Sequence, residues 1–246
     1  MKYARYGTKD GTVLKNRFLD ALSADTLTQL SRHLEPVSYS FQHRLYAPGD
    51  PPKAAYFPIT GVISVVVVMS DGKTVEAITI GSQGVAASEC RFERPSTGMR
   101  TAFAQVVGHG LKCEGRALRT LVERNTELRM LFDLHATATI NVLAQTTACN
   151  RLHPIEERCA RWLLLTAECA QMDEFDLIQE FLADMLGVKR SSVSPATGAL
   201  QSRGLIEYTR GHVKILDREG LYRAACECYG AITREYDTLY DRSNKR

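Results

Sequence analysis

The sequence predicts an α+β fold: an N-terminal antiparallel β-roll of the double-stranded β-helix, jelly-roll type, then one long helix, then a small domain of helices and a hairpin. Three observations predict it. Short β-rich runs alternate with turn residues across residues 37–113, at intervals of about 8–12 residues. Residues 126–152 contain neither Gly nor Pro and keep a helical pattern throughout. Beyond Pro154, a small residue, a glycine and an apolar residue recur at the spacing of two helices joined by a tight turn.

Composition bounds the function. The chain has 246 residues, 44% hydrophobic and 24% charged, enough apolar mass for a packed core. The longest apolar run, residues 65–69, is far short of the ~20 residues of a membrane span. The first ten residues carry no apolar signal segment, so the expected location is the cytoplasm, with no membrane partner. Seven scattered cysteines fit a reducing compartment and free thiols better than a disulfide framework. The net charge of +3 is too small to identify a polyanion-binding protein by itself; the distribution of charge has to decide.

The elements follow in order. Residues 1–15 are polar and Gly-punctuated, and a flexible N-terminus is expected there. Ser23 suits an N-cap, and Leu27, Leu30 and Leu34 keep helical spacing until Pro36. The roll, with flanking helices, is placed at 16–125, with strands near 55–57, 62–69, 75–80 and 101–107. Turn signals separate them, among them Thr60-Gly61, Ser70-Asp71-Gly72 and Gly108-His109-Gly110. The nearly all-apolar run 62–69 predicts a strand covered on both faces.

The long helix is placed at 126–152 and capped by Asn125 or Thr126. Leu131, His135, Ala138, Val142, Gln145 and Cys149 fall at alternating spacings of four and three, a heptad seam. Such a seam could lie on the chain's own β-domain. A helix linking two domains has few intrachain neighbours, however, so a homodimer seam is the expectation.

The next domain is placed at 153–216. Ala183, Gly187 and Val193 occupy the crossing, turn and core positions of a helix-turn-helix, with Leu182, Leu186, Val188 and Ala196 as apolar neighbours. Gly204 ends the second helix, and residues 206–216 read as two strands about an Arg210-Gly211 turn, a wing. Five basic residues (Lys189, Arg190, Arg203, Arg210, Lys214) face one acid, Glu207, between Leu186 and Leu216. That local excess is the footprint of a double-stranded DNA partner. Lys189, Arg190, Ser191, Ser192 and Ser194 open the reading helix. Arg190 is the candidate for a bidentate guanine contact, worth ~1–3 kcal/mol of discrimination. Arg210, His212 and Lys214 would hold phosphates from the wing, and Gln179 at the start of the first helix joins the candidate contacts. Pro195 conflicts with a helix starting near Arg190. Either Ser194 caps a later start or the first turns are distorted, and a distorted start is expected.

This order of parts resembles the Crp/Fnr superfamily of bacterial transcription regulators. The resemblance covers about residues 16–216 and rests on Leu45-Tyr-Ala-Pro-Gly-Asp, Ala55-Tyr-Phe-Pro-Ile-Thr-Gly-Val-Ile-Ser-Val, Ala148-Cys-Asn-Arg-Leu-His-Pro-Ile-Glu-Glu-Arg and Leu182-Ala-Asp-Met-Leu-Gly-Val-Lys-Arg-Ser-Ser-Val. It implies a homodimer on a pseudo-palindromic site, a small-molecule effector in the roll, a hinge near residues 150–154 and contact with RNA polymerase. Residues 217–246 resemble an extra C-terminal helical extension of one subgroup. The family's cyclic-nucleotide pocket uses a Gly-Glu step and then an Arg-Ser step; Ser88-Glu89 and Arg100-Thr101 stand nearest to these here. A cyclic nucleotide is thus one candidate for an otherwise unknown effector. The family's iron–sulfur cluster needs clustered cysteines and is not expected, since the first cysteine is Cys90. Cys226 and Cys228, two apart on an expected helix, would point to different faces, and no metal site is expected. No catalytic motif is found, and isolated His43 and His109 do not make a cupin metal site. The alternative function is a ligand- or partner-binding roll with lost DNA recognition.

Overall fold

The computed structural model describes residues 15–96 and 98–243. The expected flexible N-terminus lies outside the described residues, apart from Lys15. Two short helices, α1 (Arg17–Asp20) and α2 (Ala24–Ser31), precede the roll. Ser23 caps α2, its hydroxyl accepting from the Thr26 amide. The helix ends at Ser31. Leu34 and Pro36 therefore belong not to it but to the first strand, β1 (Leu34–Tyr39), where Pro36 is tolerated because β1 is an edge strand.

The roll comprises β1, β2 (Arg44–Tyr46), β3 (Ala54–Pro58), β4 (Val62–Val68), β5 (Thr74–Ile80), β6 (Arg100–Val106) and β7 (Gly108–Glu114). They form antiparallel sheets in the orders β1-β7-β3 and β2-β6-β4-β5. Gly108-His109-Gly110 is strand rather than turn. The glycines are needed for close approach: a Cβ at Gly108 would stand 2.2 Å from the Thr60 carbonyl oxygen, and one at Gly110 2.4 Å from that of Phe57.

Then come α3 (Gly115–Arg124), α4 (Thr126–Leu152) and α5 (Ile155–Ala170). Asn125 caps α4, accepting from the Leu128 amide. The remaining elements are β8 (Glu174–Asp176), α6 (Gln179–Leu186), α7 (Arg190–Ser202), β9 (Ile206–Thr209), β10 (His212–Ile215), α8 (Arg218–Ala224) and α9 (Cys228–Ser243). No described helix is long and apolar enough to cross a membrane.

The apolar run in β4 has two coverings. Ile63 and Val65 enter the roll's core with Phe18, Phe57 and Phe132. Val62 and Val66 pack outward against α5, with Trp162 and Leu163. A buried polar network crosses the same junction: Trp162 Nε1 donates to Glu76 Oε2 at 2.7 Å and Thr79 Oγ1 donates to it at 2.9 Å. Burial raises the Glu76 pKa, opposed by these hydrogen bonds.

The heptad seam needs correction. Leu131, His135, Ala138, Val142 and Cys149 are buried and Gln145 is half-buried, all within a single chain. The cover is α9, whose Ile232, Tyr236, Leu239 and Tyr240 share a core with Leu131, Ala138 and Val142. His135 and Tyr236 rings lie 6.3 Å apart, and Gln145 Nε2 donates to Cys228 Sγ at 3.0 Å. These residues are therefore not presented to a second copy. The opposite face of α4 is open: Met130, Thr137, Ile140, Ala144, Thr147 and Ala148 are exposed, Ile140 by 65%.

Candidate nucleic-acid interface

The reading domain is built on α5, α6 and α7. Leu182, Ala183 and Leu186 bury one face of α6, and Val193, Ala196 and Leu200 the facing side of α7. Gly187 ends α6 at φ 63, the left-handed conformation that glycine takes at least cost. It also allows contact with the roll, since a Cβ there would lie 2.9 Å from the Val75 side chain. Phe181 of α6 packs its ring on Phe41 and Phe103 of the roll at 5.7 and 6.0 Å.

α7 starts before its proline. Arg190 is its first residue and Pro195 lies inside. The first turn is tightened: the Ser192 amide donates to the Lys189 carbonyl at 2.9 Å, a three-residue step. Ser194 is not a cap. Its hydroxyl donates to Gln179 Oε1 at 2.6 Å, tying α7 to the first residue of α6. Lys189, Arg190, Ser191 and Ser194 are exposed, whereas Ser192 and Gln179 are half-buried. No side chain caps α7, so amides of its first turn stay available to an acceptor from outside.

The wing is a three-stranded sheet in the order β8-β10-β9. Arg210 and Gly211 take φ of 51° and 81°, the two positive values that a two-residue hairpin turn needs. Arg210 is exposed at this tip. His212 Nδ1 lies 3.0 Å from Asp176 Oδ1, and Lys214 Nζ 3.6 Å from Glu174 Oε2. Both acids come from β8, outside the segment whose charges stood out in the sequence. Arg203 is likewise paired, with Glu156 at 3.0 Å. Among the described residues, no acidic side chain pairs with Lys189, Arg190 or Arg210. The basic surface is thus narrower than the sequence implied and centred on the start of α7. Below it Tyr208 braces the domain: its hydroxyl donates to the Leu177 carbonyl at 2.6 Å, and burial pushes its pKa up to about 12.

The candidate effector residues also meet. Ser88 and Glu89 open a short 3-10 helix (Ser88–Arg91), and Arg100 and Thr101 open β6. Arg100 Nη1 lies 2.7 Å from Glu89 Oε1, with side chains 39% and 22% exposed. Between β5, α4, α5 and α9 lies a cavity of about 90 Å³, bordered by Glu76, Thr146, Arg161, Trp162, Glu168 and Tyr236. It is well below the ~300 Å³ of ordinary ligand pockets, and neither Glu89 nor Arg100 reaches it.

One cluster was missed. Cys226 lies not on a helix but in the turn between α8 and α9, so its thiol and that of Cys228 converge on Cys149 and His153. The four-residue step from Cys149 to His153, one helical turn, was the available signal.

A helix-turn-helix with an exposed, unpaired basic start and an adjoining wing defines a winged-helix DNA-binding protein, here docked on a β-roll. Residues 157–224 match the family model of the Crp-like helix-turn-helix domain. A CRP-like cAMP-activated global transcriptional regulator of Mycobacterium tuberculosis is 24% identical over 228 residues, covering 88% of this chain and 99% of that protein. A solved regulator assigned to the crp/fnr family in Eubacterium rectale superposes with a TM-score of 0.65 at 13% identity, covering 83% of this chain and 95% of that one. The c-di-GMP responsive global regulator CLP of Xanthomonas campestris gives 0.62 at 16%, covering 78% and 99%. The chain is a DNA-binding transcription regulator whose C-terminal domain is similar to the Crp-like helix-turn-helix.

Proposed function

We propose that this regulator binds a pseudo-palindromic DNA site as a homodimer, each α7 entering a major groove with Arg190 on a guanine edge. The observation that carries the reading is the exposed start of α7, where Lys189 and Arg190, like Arg210 on the wing, lack an acidic partner among the described residues. Ser191, Ser192 and the open amides of the first turn would take phosphate oxygens. Gln179 and Ser194, already bonded to each other, would position α7 against the backbone. His212 and Lys214 would contribute less, because Asp176 and Glu174 offset their charge.

The dimer would form along the open face of α4, through Ile140, Ala144 and Ala148, whose small and apolar side chains permit close helix approach. Half-sites then lie about one DNA turn apart. Contact with RNA polymerase, a cytoplasmic location and a non-catalytic role complete the reading and rest on the Crp/Fnr likeness. The Mycobacterium relative is named for cyclic AMP and the Xanthomonas one for c-di-GMP. For this chain we infer that cyclic AMP is not required: Glu89 engages the arginine that would take the cyclic phosphate, and Ser88 and Thr101 replace the Gly and Ser of the family pattern.

Fluorescence anisotropy on genomic fragments, including the gene's own upstream region, tests this at two salt concentrations with and without cyclic AMP. Tight, salt-sensitive binding to a few palindromic fragments without the nucleotide is expected. Binding with no fragment preference at either salt would overturn the DNA reading. Selective binding only with cyclic AMP would overturn the effector inference.

A further inference from the structure

Cys149 and His153 stand one turn apart at the C-terminal end of α4, facing Cys226 in the α8–α9 turn and Cys228 at the start of α9. The three sulfurs and a ring nitrogen of His153 all lie within 4.8 Å of one another. Cys149 Sγ is 3.5 Å from Cys226 Sγ, and Cys228 Sγ is 3.5 Å from His153 Nδ1. A tetrahedral zinc ion, with bonds of ~2.3 Å to sulfur and ~2.0–2.1 Å to nitrogen, holds such pairs roughly 3.5–3.8 Å apart. We propose that Cys149, His153, Cys226 and Cys228 bind one zinc ion, fastening the hinge end of α4 to the start of α9.

The surroundings fit a metal centre. His153 Nε2 lies 3.1 Å from Glu227 Oε1, so the distal nitrogen donates to a carboxylate and Nδ1 is left with its lone pair toward the sulfurs. That carboxylate–histidine arrangement orients metal-bound imidazoles. Gln145 Nε2 donates to Cys228 Sγ at 3.0 Å, a hydrogen bond that a thiolate accepts well. All three cysteines are buried. Two guanidiniums, Arg158 and Arg161, are also buried, and neither Nε has a hydrogen-bond partner. Three thiolates with one Zn²⁺ carry a net single negative charge, which these cations complement.

A Cys149–Cys226 disulfide would use two of the four groups and leave the His153–Glu227 pair without purpose. It would also have to close 3.5 Å to about 2.05 Å. An iron–sulfur cluster spreads its cysteines over several metal atoms, wider than the 4.8 Å seen here. Four protein ligands make a closed, structural site. Zinc entry would displace the thiol protons to water. The bound ion would hold α9 along the inner face of α4 and stiffen the residue 153–154 connection to the reading domain.

The test is metal content of the full chain, purified with a reductant and without chelator, by plasma mass spectrometry. About one zinc per chain is expected, falling at least tenfold in Cys228→Ser and His153→Ala and unchanged in Cys113→Ser, a cysteine of the roll. Should those variants fail to fold, cobalt titration of the metal-stripped, reduced wild-type chain decides. Tetrahedral thiolate absorption bands saturating at one equivalent support the site. Absence of both zinc and those bands in fully reduced protein would overturn it, as would zinc content unchanged in Cys228→Ser.

Discussion

α4 and α7 are the two helices whose sequences point most directly to function, and they differ in what covers the marked face. The start of α7 stays exposed, with Lys189 and Arg190 free of acidic partners among the described residues. The marked face of α4 is sealed by α9 of the same chain, so the surface left for a second copy is the opposite one. Apolar periodicity reports that a face is buried and says nothing of the partner. Charge clustering reports a solvated face, and α7 obeys.

Substitutions on α4 test that difference most severely. Val142→Asp places an unpaired charge in the α4–α9 core and should cost about 3–5 kcal/mol of folding stability, read by denaturant titration. Ile140→Asp, on the open face, should leave the midpoint nearly unchanged while converting dimer to monomer in sedimentation. A dimer that survives Ile140→Asp would move the interface elsewhere.

The sealed face should also respond to acid. Burial, reinforced by Arg91, pushes the His135 pKa down to about 4, so the ring is neutral in the folded chain. The unfolded chain binds the proton first, near pH 6.5, so stability is lost as pH falls from about 6.5 to about 4, by about 3 kcal/mol in all. Glu76, raised by burial, works in the opposite direction. Denaturation midpoints of wild type and His135→Gln across this range separate the two; identical pH slopes would remove His135 from the account.

On α7, Arg190→Ala should cost ~1–3 kcal/mol of specific binding and flatten the preference among fragments, with the oligomeric mass intact. Preserved preference would place the readout on other residues. Within the wing, Arg210→Ala should lower the slope of log affinity against log salt by about one, whereas Lys214→Ala should change it by less, because Glu174 already offsets that charge. Equal slopes for the two variants would remove the distinction between paired and unpaired wing charges. The smallest effect belongs to Arg100→Ala, which breaks a half-exposed pair worth at most ~1 kcal/mol and should leave DNA affinity untouched. Loss of DNA binding in that variant would restore the pair to an effector role.

Local chemistry determined much of this protein from sequence alone. Ser23 and Asn125 start their helices by accepting a near amide, Gly187 turns α6 into α7, and β4 reads as covered on both sides. Each depends on neighbours within a few residues, which is why spacing reveals it. Pairing between distant segments was decided only by the tertiary structure. Glycines 108 and 110 read as a turn until β3 and the loop at Thr60 pressed against them as strand neighbours. β8 supplied the acids that offset His212 and Lys214. α9 took the α4 seam, and the α8–α9 turn with the first residue of α9 carried Cys226 and Cys228 to Cys149 and His153. A side chain's pattern states that it needs burial, a partner or a ligand; which distant group answers depends on how the whole chain closes.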